Sequence, residues 1–71
     1  MRKYLVIIEK TKTGYSAYSP DLEGCVAAAK TRTQVELRMH KAIIFHLDGL
    51  RIERKRLPHP HTYSTYLEVP A

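Results

Sequence analysis

The chain has 71 residues, a formal net charge of +5 and a sequence pI near 9.6. That length is one domain, residues 1–71, and excludes a two-domain enzyme. A domain so small buries only ~60% of its unfolded surface, so self-association is the expected source of further burial. A single cysteine, Cys25, excludes an intrachain disulfide. No run of ~20 apolar residues is present to span a membrane, and the apolar stretch after Met1 is too short for a signal peptide, so a cytoplasmic location is expected.

Lys3 to Lys10 is β-branched and aromatic and reads as a first strand, its continuous apolar stretch suggesting burial on both faces. Thr11 to Gly14 is a hairpin loop in which Gly14 is available for positive φ. Tyr15 to Ser19 alternates as a half-exposed partner strand, and Pro20 ends it because proline has no N–H to give the ladder. Asp21 to Gly24 makes a turn, with Asp21 expected to bond the backbone just after it. Cys25 to Ala29 is a third strand of small residues, suited to close packing under a helix. Cys25 itself reads as a small buried residue.

Thr31 followed three residues later by Gln34 matches a capping box and opens a helix. Val35, Met39, Ala42, Ile43, His46 and Leu50 share one helical face and form the expected core side. Leu37, Ile44, Phe45 and Ile52 point elsewhere, and such an exposed apolar set is expected to be an oligomer interface. Arg51, Arg54, Lys55 and Arg56 give a cationic end to the helix. Leu57 to His61 is a stiff extended linker, because its two prolines restrict it. Thr62 to Val69 returns to strand composition. The order β-β-β-α-β predicts an α+β fold of two layers, one sheet under one helix. The last strand would return by a right-handed crossover to lie parallel to the first.

Catalysis is not expected. A metal-dependent nuclease needs converging carboxylates. Glu9 has no strand partner except Glu68, near the other end of the chain. His40 and His46 are six apart, not the four that would stack them as a metal pair, and His59 and His61 lie on the linker. No cofactor or metal is therefore expected. Five tyrosines among scattered cations could stack bases, but ordinary strand aromatics account for them as well.

The strings Tyr4-Leu-Val-Ile-Ile-Glu-Lys10, Gly14-Tyr-Ser-Ala-Tyr18 and Pro20-Asp21-Leu22-Glu23-Gly24-Cys25 resemble the HicB antitoxin family. So do the helix with Phe45-His-Leu-Asp-Gly-Leu50 and the exit Leu57-Pro-His-Pro60. The resemblance implies a reduced RNase H-like β-β-β-α-β unit without the nuclease carboxylates. It implies a non-enzymatic, homo-oligomeric binding module in a toxin-antitoxin system. Its partner would be a HicA-like mRNA-cleaving toxin, neutralised by steric masking. The chain reads as a short member without the C-terminal DNA-binding region found in many of the family. Because it is basic, docking to a basic toxin would rest on exposed apolar residues and on Asp21 and Glu23 at the turn. The alternative is a basic stand-alone module binding nucleic acid through Arg51, Arg54, Lys55 and Arg56.

Overall fold

The computed structural model describes residues Met1–Ala71. Strands β1 (Ile7–Lys10), β2 (Tyr15–Tyr18) and β3 (Val26–Ala29) form an antiparallel sheet in the order β1-β2-β3, followed by helix α1 (Arg32–Ile52). This is the expected α+β arrangement, with one helix laid on one sheet face. Ile8, Ala17 and Ala27 stand in register across the three strands on the helix side. Ala17, Leu22, Cys25, Val35 and Met39 are buried together between the layers. The alanines of β3 allow α1 to approach closely, and α1 packs mainly on β3 and β2.

The elements are held by the local chemistry of their ends. The Thr31 hydroxyl accepts the Gln34 N–H at 3.1 Å, capping the helix start. At the other end the N–H groups of Lys55 and Arg54 donate to the carbonyls of Leu50 and Arg51, with Arg54 at φ 57. That is a left-handed helix cap in which arginine occupies the place glycine usually takes. The Thr11 to Gly14 loop closes through the Thr11 N–H to the Gly14 carbonyl at 2.8 Å. Glycine is needed there for close approach rather than for positive φ. A Cβ on Gly14 would lie 2.3 Å from the Ala29 carbonyl oxygen of β3.

Two expectations need correction. The first strand is shorter than Lys3 to Lys10, and residues 4–8 are only half-buried because β1 is an edge strand whose free side has no neighbour. The fourth strand is not in the sheet. Residues 57–71 contain no regular element, and Tyr63, Tyr66, Leu67 and Val69 are exposed. Strand composition in 62–69 is satisfied only when another edge supplies hydrogen bonds, and within this chain none is taken up.

Candidate interaction surface at the Pro20 to Cys25 turn

The turn is built from two successive tight turns, closed by the Leu22 N–H on the Ser19 carbonyl and the Cys25 N–H on the Leu22 carbonyl, both at 3.1 Å. Gly24, at φ 80, supplies the left-handed residue that the reversal into β3 requires. The Ser19 hydroxyl, itself buried, donates to the Leu5 carbonyl at 2.8 Å and ties the turn to the chain before β1. Leu22 drops into the core, so the turn is rigid from within.

Asp21 and Glu23 were expected to act together at this turn, and the fold buries one and exposes the other. Asp21 is buried. Its Oδ2 accepts the backbone N–H groups of His61 and Thr62 at 3.0 and 3.1 Å. Its Oδ1 accepts the Thr62 hydroxyl at 2.5 Å and lies 3.2 Å from His61 Nδ1. The Thr62 hydroxyl, above all, holds the Asp21 carboxyl below its ordinary range, with the two backbone donors and the nearby imidazole adding to it against the opposing effect of burial. Asp21 therefore bonds a segment 40 residues away, not the backbone just after it. Glu23 is exposed and free, and is the acid the turn offers outward.

Above the turn, a cleft of about 400 Å³ runs between Gly24 and Val26 on one side and Phe45 and Gly49 of α1, with Glu53 just past its end, on the other. Phe45 is 71% exposed and Val26 65%. A second shallow depression of similar size brings Ile44, Phe45 and Ile52 together. Leu37, about two helical turns before Ile44, is exposed but borders neither depression. The four outward apolar residues thus do not form one stripe; three of them share one depression on the helix, and Phe45 alone also faces the turn.

The remaining candidates are placed as follows. Cys25 is buried, and burial pushes its thiol up, away from nucleophilic use. His46 is half-buried on α1 where it lines the cleft facing the turn, and His40 is exposed. Glu9 is exposed at the end of β1 and Glu68 is exposed outside the sheet. In the basic cluster, Arg51 pairs with Asp48 at 3.1 Å and Lys55 with Glu53 at 3.4 Å, both on the surface. No helix is long and apolar enough to cross a membrane. Two features had no signal in the sequence. One is the Asp21 contact to Thr62. The other is the tie from the Tyr4 hydroxyl to the Pro58 carbonyl at 2.6 Å, joined by Arg2 at 3.0 Å.

The model for "HicB_like antitoxin of bacterial toxin-antitoxin system" matches residues 4–71. This chain belongs to the HicB-like antitoxin family. The match includes both the rigid turn and the segment that Asp21 anchors. The HicB-like chain is 33% identical over 67 residues to an uncharacterized 14.9 kDa protein in the rep-hol intergenic region of Haemophilus phage HP1 (strain HP1c1). It spans 94% of its own length but about half the length of that relative (50%). Among solved structures it is similar to a chain of a HicA3 and HicB3 toxin-antitoxin complex, with a TM-score of 0.71 and 32% identity, covering 84% of this chain and 70% of the other.

Proposed function

We propose that this HicB-like chain is a non-enzymatic binding module that neutralises a HicA-like, mRNA-cleaving toxin by covering its working surface. Family membership and the likeness to a chain of a toxin-antitoxin complex support the reading. The observation that carries it is the surface beside the turn, where exposed Phe45 faces Gly24 and Val26 across a cleft and continues into a depression lined by Ile44 and Ile52, with Glu23 exposed on the turn itself. An apolar patch rimmed by an acid suits a basic protein partner even though the whole chain is +5. Rigidity at the turn lowers the ordering cost of docking. Asp21 acts one step removed, because its carboxylate is already engaged by His61 and Thr62.

The test is calorimetric titration of the full chain against a HicA-like toxin, taken from the neighbouring gene where one is encoded there, comparing the native protein with Glu23→Ala and Phe45→Ala. Both side chains are exposed, so circular dichroism should be unchanged while Kd rises about 10-fold or more for Phe45→Ala and less for Glu23→Ala. Tight binding that neither substitution weakens would place the contact elsewhere. The alternative, a nucleic-acid-binding module using Arg54 and Arg56 with the neighbouring Arg51 and Lys55, predicts a different outcome. The toxin would not bind, and RNA or DNA would bind with an affinity falling steeply with salt.

A further inference from the structure

Two incomplete features lie on this chain, and each supplies what the other lacks. The first is the outer edge of β1. It pairs only with β2, and α1 is displaced toward β3. Beneath that edge a groove of about 870 Å³ opens, floored by Tyr4, Val6, Ile8, Met39, Ile43 and Leu47. An unpaired edge over an apolar floor is a template for one more strand. The second feature is the segment 62–69, a strand by composition with no sheet. Tyr63, Leu67 and Val69 alternate on one of its faces, and Leu67 is 81% exposed. Its eight residues span about 26 Å when extended, and a lone strand is not stable in water.

We propose that the segment 62–69 of one copy lies along the β1 edge of a second copy and covers its groove, the exchange being reciprocal in a strand-exchanged dimer. The occupant is argued from three observations. The exit of the segment is pinned at its own body, by Asp21 on His61 and Thr62 and by Tyr4 on Pro58. The linker between α1 and that pin contains Pro58 and Pro60, which restrict folding back onto the parent sheet. A hinge that holds an element out favours its exchange between identical chains, since the same contacts form in either case. Charge agrees as well. Glu68 is the sole charged side chain in 62–71, and the groove it would reach is lined by two arginines, Arg2 and Arg51, against one carboxylate, Glu36. A two-fold exchange fills both grooves with both segments and leaves no open end. This inference is independent of the toxin reading.

The test uses the full chain. Sedimentation at micromolar concentration should give twice the 8.2 kDa mass. Leu67→Asp with Val69→Asp, changed where the side chains are already exposed, should leave the helix signal intact and raise the dimer Kd on the order of a hundredfold. Leu37→Lys with Phe45→Lys tests the competing interface on the outward helix face and should leave the dimer unchanged. A photo-crosslinking phenylalanine analogue in place of Tyr63, in a mixture of 14N and 15N chains, should link that position of one isotope to peptides holding residues 4–8 or 39–47 of the other. A monomeric native chain would overturn the proposal. So would links confined to a single isotope, which mean closure within one chain, or tail-to-tail links. A dimer lost only in the helix-face variant would overturn it too.

Discussion

Residues 15–18 and 63–69 carry the same kind of alternation, tyrosines and branched or small side chains every second position, yet only the first is a strand. β2 lies between two partners, and its Ala17 is buried under the helix. The later segment has the composition and no neighbour. The difference shows that strand propensity is a statement about fit to an edge, not about the backbone alone. β2 is reached from β1 by a four-residue loop and from β3 by a tight turn, so its partners arrive at little entropic cost. The C-terminal segment follows a 21-residue helix and a proline-bearing linker that hold it apart. Within one chain, the body from β1 to α1 is packed, and the segment after Thr62 is tethered but not packed.

The largest effect that separates the two regions is expected from matched leucines. Leu22→Ala should cost about 2–5 kcal/mol in urea unfolding, because Leu22 is fully buried. Leu67→Ala, measured on the monomer in dilute solution, should lie within about 0.5 kcal/mol of the native chain. Equal losses would mean that the segment packs on its own body.

The tether can be cut separately. Asp21→Asn removes the carboxylate that receives the His61 and Thr62 donors. Backbone nuclear Overhauser effects at 61–65 should then fall toward values typical of free termini while those of α1 stay high. The same contact is pH-dependent. The folded Asp21 carboxyl titrates below its unfolded value, so its stabilisation is complete above about pH 4 and is lost as pH falls through the lower, folded value. Asp21→Asn should flatten that part of the stability profile. An unchanged acid slope would assign it to other carboxylates.

Smaller effects probe the ends of α1, where the packed body gives way. Thr31→Ala should cost about 1 kcal/mol through loss of the cap on Gln34. Arg54→Gly should stabilise by about 1 kcal/mol, since glycine takes the left-handed conformation that Arg54 now occupies. Thermal unfolding of the two variants should move in opposite directions. A destabilised Arg54→Gly would show that the side chain contributes more than its backbone strain removes.

Much of the body was legible in the chain itself, for physical reasons that act over short range. The cap at Thr31, the reversal at Gly24, the stop at Pro20 and the spacing of Val35, Met39 and Leu50 each depend on a few neighbouring residues. So did the outward position of Leu37, Ile44, Phe45 and Ile52, which follows from helical periodicity once the core side is known. Tertiary structure alone decided the rest. The purpose of Gly14 became visible only when β3 came to lie against it, since the contact with Ala29 crosses the sheet. Asp21 looked like a turn former bonded to the backbone just after it because its true partners, His61 and Thr62, lie some 40 residues away and no local rule connects them. The strand pattern in 62–69 reads as a fourth strand beside the first, and the structure forms no strand there. Whether an edge is present to meet it is a property of packing, and the displacement of α1 toward β3 leaves that edge, on β1, open.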